Sequence, residues 1–196
     1  MKTQLVSALL VAFLLAGCGR PCEDGVAWTP VEEDALDTTQ NMQRANAFAA
    51  KDLMFKQLSG ALMKAIQESG PAAAIGVCRE QAPSIATSVS EKTGVRIGRT
   101  AFKLRNAENT PPAWAASLVE AQHADNAYRV APDGRLGVFL PIRLQQPCLT
   151  CHGDVSKIAD DVKAQIDELY PDDQAMGFAQ GDLRGWFWVE VPAPAQ

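Results

Sequence analysis

Cys148, Cys151 and His152 stand in the run Cys148-Leu149-Thr150-Cys151-His152, a C-x-x-C-H. Two thiols three residues apart share one side of a helical turn, where each can add across a vinyl group of a porphyrin. The imidazole beside the second thioether then lies under the iron and supplies an axial nitrogen. The pattern predicts one covalently bound haem c, attached through Cys148 and Cys151 and ligated by neutral His152 through Nε2. Two other chemistries use parts of the pattern. A C-x-x-C redox pair works without the histidine. A zinc site needs a second Cys/His pair, and His123, the other histidine, has no such companion.

The N-terminus bears on the compartment. Met1-Lys2 is a short positive start, and Leu5 to Leu15 is an apolar run too short to span a bilayer comfortably. It ends in Leu15-Ala16-Gly17-Cys18, which resembles a bacterial lipobox. The expected organisation is a lipoprotein signal peptide over 1–17, a flexible linker over 18–30 after a lipidated Cys18, one haem domain over 31–192 and a tail over 193–196. The ordinary alternative is a secretory signal with a chance cysteine. Either way the chain crosses the inner membrane, to the side where c-type haem is attached. Acyl chains on Cys18 would anchor the protein to a membrane without a spanning helix. Gly19, where an Asp would retain a lipoprotein at the inner membrane, favours a periplasmic protein on the outer membrane.

The formal net charge is −5, from 18 Lys and Arg against 23 Asp and Glu. An acidic chain argues against nucleic acid and against electrostatic binding to anionic lipid heads, and is compatible with a basic electron-transfer partner. With Cys18 assigned to lipid and Cys148 and Cys151 to haem, two of the five cysteines remain, Cys22 and Cys78. In an oxidising compartment these could form a disulfide.

The elements that must position the motif follow from periodicity. Val31 to Ser69 reads as one long helix or two, with Phe48, Leu53, Phe55, Leu58, Leu62, Met63 and Ile66 recurring at about 3.6 residues. Gly70-Pro71 breaks it, and helix resumes over Ala72 to Ser90, divided at Pro83. Val95 to Ala101 reads as a strand, Leu104 to Pro112 as a polar loop, and Pro112 to Ala124 as a short helix. Asn126 to Val130 and Arg135 to Leu144 are strands around the turn Pro132-Asp133-Gly134. Val155 to Leu169 is a further amphipathic helix, and Trp186 to Val191 a closing strand. Helices first and an antiparallel sheet afterwards make an α+β plan.

Several segments carry a resemblance. Ala74 to Cys78, Arg99 to Asn106 with Asn109, Pro112 and Trp114, Pro141-Ile142, Cys148 to Gly153, Tyr170 to Asp173, and Gly177 to Gly185 together resemble the Tll0287-like haem domain family, in order, from about Lys51 to Pro192. The resemblance implies a periplasmic, sensor-like domain with a PAS-like sheet behind long N-terminal helices and one c-type haem. It departs at Ala101-Phe102-Lys103, where the family carries a small polar residue, which makes that wall more apolar.

For the sixth iron position the resemblance points to Cys78, and the chemistry agrees, since ferric iron lowers a thiol's pKa enough to ionise it. Met176, on the side where small cytochromes c place a methionine, His123, and a vacant position remain alternatives. Arg99, Arg105 and Asn106 lie in a polar stretch suited to the haem propionates, although its asparagines also suit turns. Trp114, Phe139, Trp186 and Trp188 read as core with one or two able to reach porphyrin, and Asp172, Asp173 and Asp182 as turn residues.

Two functions compete. A haem-based redox or gas sensor needs an axial ligand that leaves, so that a small gas or oxidant can bind. A one-electron carrier needs two ligands that stay. No output module follows the domain, so either role needs a redox or signalling protein partner. No acid–base pair stands out beside an open site, so no catalytic residue is assigned.

Overall fold

The structure, a computed structural model, describes residues 26–194. The leader, Cys18 and Cys22 lie outside the described residues, and with them the lipidation site and any Cys22–Cys78 pairing. Five antiparallel strands form one sheet in the order β1-β3-β4-β5-β2. They are β1 (Thr29–Val31), β2 (Arg96–Thr100), β3 (Ala127–Val130), β4 (Leu136–Arg143) and β5 (Leu183–Val191). β3, β4 and β5 are a meander, and the earlier strand β2 returns beside β5, as in the expected PAS-like sheet. The helices are α1 (Thr38–Ser69), α2 (Pro71–Thr93), α3 (Ala116–Glu120), α4 (Leu149–His152) and α5 (Asp160–Leu169). The α+β class is as expected.

Alternation along the strands divides the core between two faces. Leu136, Val138 and Leu140 of β4 and Phe187, Val189 and Val191 of β5 point toward α1 and α2. Phe139 and Trp186 point the other way, onto Trp114 and Leu118. Leu140 pairs with Phe187 and Phe139 with Trp188, so a shift of one residue would exchange the two cores.

α1 is one helix, not two, and starts later than Val31, which belongs to β1. Its start is a capping box in which the Asp37 side chain accepts from Gln40 N–H at 2.8 Å and the Gln40 side chain accepts from Asp37 N–H at 3.0 Å. The seam buried on the sheet is Gln43, Ala47, Ala50, Met54 and Leu58, so of the large apolar residues that mark the periodicity only Leu58 belongs to it. Alanines let the helix lie close to the sheet. Phe55 and Met63 are 52% and 48% exposed. Gly70, at φ 84°, separates α1 from α2, a conformation that favours glycine.

α2 runs unbroken through Pro83, contrary to expectation. Pro83 is on the exposed side, where the carbonyl released by its missing N–H can meet water. α5 begins at Asp160 rather than Val155, because the Asp154 carboxylate accepts from Ser156 N–H and Oγ–H and holds a turn there. Among the described residues no helix is long and apolar enough to cross a membrane.

Candidate functional site

The C-x-x-C-H run leaves the end of β4 as a short 3-10 turn, Gln146–Cys148, continuing into α4. The turn is closed by Cys148 N–H on Gln145 O at 2.9 Å, and the Cys148 sulfur accepts from Gln145 N–H at 3.4 Å. Gly153 stops α4 with its N–H on Leu149 O at 2.9 Å. A Cβ at Gly153 would come within 2.5 Å of that same carbonyl oxygen, so the stop accepts only glycine without a shift of backbone.

The run forms one wall of a cavity of about 250 Å³. α1 contributes Phe55, Leu58, Leu62 and Ile66, and α2 contributes Ala74, Ile75 and Cys78. Arg99, Ala101, Leu104 and Arg105 follow from β2 and the loop after it, and Ile142, Arg184 and Phe187 from β4 and β5. Phe55, Leu62 and Ile66, absent from the sheet seam of α1, thus serve this cavity beside Leu58. Cys78, Cys148, Cys151 and His152, 74 residues apart in sequence at the extremes, share one space. Among the described residues no three His, Cys, Asp or Glu side chains converge closely enough to hold a bare metal ion.

His152 is oriented by backbone. Its Nδ1 lies 2.7 Å from Ala175 O, and a carbonyl only accepts, so Nδ1 carries the proton and Nε2 keeps a lone pair. Nε2 has no partner among the described residues, and the ring lines the cavity. Burial, with the nearby Arg105 and Arg184 guanidiniums, holds the imidazole well below its ordinary pKa, so it is neutral. Burial pushes the Cys151 thiol up, against the pull of Arg105.

The segment carrying Ala175 is tied to the motif at several points. Phe178 N–H donates to His152 O at 3.0 Å and Gly177 N–H to Gly153 O at 2.8 Å. Arg105 makes an ion pair with Asp173 at 3.0 Å, with the two side chains 7% and 3% exposed. The same guanidinium donates to Cys151 O at 2.7 Å and, at the limit of 3.5 Å, to Ala175 O. Asp173 also accepts from Ala175 N–H at 3.0 Å. Asp173 closes a turn on Tyr170 O, as its sequence context predicts, and has this second task besides. Nothing in the sequence marks the Ala175 carbonyl, because it is a backbone group.

The remaining candidates separate. Arg99 lines the cavity, and its side chain makes no hydrogen bond or ion pair with a described residue. Burial lowers its pKa, opposed by Cys78. Asn106 does not line the cavity, and its side chain accepts from Glu108 N–H at 2.9 Å, the turn role. Met176 packs with the cluster of Ile158, Val162 and Ile166 against α5 rather than on the cavity wall. His123 lies beyond α3, its carbonyl accepting from Trp186 Nε1–H at 2.7 Å on the opposite face of the sheet. None of Trp114, Phe139, Trp186 and Trp188 reaches the cavity; Phe139 and Trp186 stack at 5.0 Å on that opposite face. Of Ala101-Phe102-Lys103 only Ala101 is on the wall, and the Phe102 ring packs edge-on to Phe178 at 6.1 Å.

Two residues went unassigned at the level of sequence. Arg184 lines the cavity with its Nε buried and without a hydrogen-bond partner, and burial lowers its pKa to about 10. Tyr170 is pushed up to about 12 by burial and by Cys78, which places it in the same electrostatic environment. Both stand inside segments that carry the family resemblance, and Arg184 is also a lone arginine between Gly181 and Gly185 ahead of an aromatic strand.

The model of the Tll0287-like family matches residues 29–192. Among solved structures the chain is similar to the crystal structure of the cyanobacterial heme-protein Tll0287, at 25% identity and a TM-score of 0.54, covering 76% of this chain and 96% of that one. No curated protein matches the chain.

Proposed function

The chain belongs to the Tll0287-like family, and we propose that it binds one haem c covalently through Cys148 and Cys151, with His152 and Cys78 as axial ligands, and acts as a redox or gas sensor. The observation that carries this is one cavity bordered by both thiols of the motif, a neutral imidazole with its Nδ1 proton committed to Ala175 O, and the Cys78 sulfur on α2. These residues fit the group. The donor set is that of a thioether-bound porphyrin, and the α1 side chains Phe55, Leu58 and Leu62 offer an apolar wall to a flat macrocycle. Haem bound there would supply a one-electron iron couple and, where an axial ligand leaves, a position for a small gas.

The protein's own contribution is asymmetric. His152 is held by the strap over 173–178, and the carbonyl at Nδ1 raises its basicity as a ligand. The Cys78 sulfur makes no hydrogen bond with a described residue and belongs to a different element, α2. One ligand is therefore fixed from behind and the other is not, the difference that favours a sensor over a carrier with two permanent ligands. The proposal extends to a periplasmic protein anchored through Cys18, with the signal passed to a protein partner.

The optical spectrum of the reduced protein, matured with c-haem machinery and recorded before and after carbon monoxide, tests both levels. c-type bands that shift quickly with carbon monoxide are expected. Bands indifferent to carbon monoxide would make the protein a one-electron carrier, and absence of c-type bands would end the haem reading.

A further inference from the structure

We infer that Arg99 and Arg184 form a cradle for a dianion, and that its occupants are the two propionate carboxylates of the haem proposed above. The inference rests on that proposal and adds the residues that recognise the carboxylate edge.

The charges around the one cavity do not balance. Three guanidiniums line it, Arg99, Arg105 and Arg184. One is already matched, because Arg105 pairs with Asp173 at 3.0 Å and its Nη2 also donates to the carbonyls of Cys151 and Ala175. The other two have no carboxylate among the described residues. Arg184 Nη1 donates to Lys103 O at 3.0 Å and its guanidinium lies 5.7 Å over the Phe178 ring, which fixes the plane while Nε stays buried and unbonded. The Arg99 side chain makes no hydrogen bond with a described residue.

Two half-buried cations left unmatched are costly, and they persist where a ligand supplies the missing charge. Burial lowers the pKa of both guanidiniums, consistent with cations partly withdrawn from water. His152 is neutral and adds nothing to the count. The unmatched charge is therefore two positive, the complement of a ligand with two carboxylates. Each arginine presents a fork that fits a carboxylate. This corrects the sequence-based assignment, which placed Arg105 at the propionates. Arg105 holds the strap behind His152, and Arg184 takes its place at the ligand.

The test uses the full protein with haem attached. The thioethers retain haem whether or not the propionates are held, so Arg99→Gln and Arg184→Gln can be compared at equal loading. The readouts are the propionate bending band in resonance Raman spectra and the pH dependence of the midpoint potential. Each variant is expected to shift the band and to raise propionate proton affinity about tenfold or more. Arg129→Gln, whose guanidinium bonds Ser117 on α3, is expected to match the wild type. Wild-type band and titration in both cavity variants would overturn the cradle. Should Arg184→Gln fail to accumulate, Arg184→Lys keeps the charge and loses the fork: a shifted band supports the cradle and an unshifted one overturns it. Failure of the wild type to show c-type bands would instead be a failure of the haem proposal.

Discussion

His152 donates its Nδ1 proton to the carbonyl of Ala175 across 2.7 Å, although the two residues are 23 apart in sequence. The bond sets the tautomer and aims the ring, and it depends on the strap over 173–178 staying in place. The strap in turn depends on Asp173 and Arg105, neither of which touches the imidazole's free nitrogen.

Asp173→Ala removes one partner of an ion pair whose side chains are 3% and 7% exposed, leaving the Arg105 cation buried and unmatched. A loss of about 3–5 kcal/mol in unfolding free energy is expected from urea denaturation. An effect under about 1 kcal/mol, the size typical of exposed pairs, would mean that the pair is solvated in solution.

Cys78→Ala is expected to leave haem attached and to open the sixth position in the oxidised protein. Added imidazole or azide should then change the oxidised spectrum at concentrations that leave the wild type unaffected. An unchanged oxidised spectrum would move the ligand elsewhere and remove Cys78 from the mechanism.

His152 makes the haem-free chain sensitive to acid. Its pKa in the folded state lies well below the unfolded value, so the unfolded chain binds the proton more readily. The sign follows: stability is full above about pH 6.5 and falls as pH drops below it, by up to about 1.4 kcal/mol per pH unit. Urea midpoints of wild type and His152→Asn, taken from neutral to mildly acidic pH, should diverge in slope. Parallel curves would show the imidazole protonating freely in the folded chain.

Gly153→Ala puts a Cβ 2.5 Å from Leu149 O and must displace the stop of α4. The carbonyl of Gly153 also accepts from Gly177 N–H, so the displacement reaches the strap. The expected result is reduced haem c per chain after maturation, with pyridine haemochrome absorbance as the measure. Wild-type loading with an unchanged spectrum would show that the backbone absorbs the methyl group.

What was legible in the sequence was local. Gly70-Pro71 ends one helix and opens the next, and both signals act within a single turn. Pro83 misled because a helix breaker's cost depends on which side of the helix it occupies, and side is a property of the packed fold. The same holds for α1, where hydrophobic size drew the eye to Phe55 and Leu62 while the sheet accepted Ala47 and Ala50. β1 was missed because three residues carry too little periodicity, and its pairing with β3 comes from about 100 residues away.

The sequence by itself determined that Cys148, Cys151 and His152 act as one unit, since their relation is set by a single helical turn and cannot be altered by the rest of the chain. It also determined the α+β order of elements, through the change of period from helix to strand. Only the tertiary structure decided which groups meet that unit. It brought Cys78 to the same cavity, consumed Arg105 on Asp173, left Arg99 and Arg184 facing the cavity unmatched, and sent Met176 and His123 elsewhere. The reason is that residue type states what a side chain can do, whereas its partner is chosen by the packing of distant elements, and a buried charge answers to whichever partner arrives.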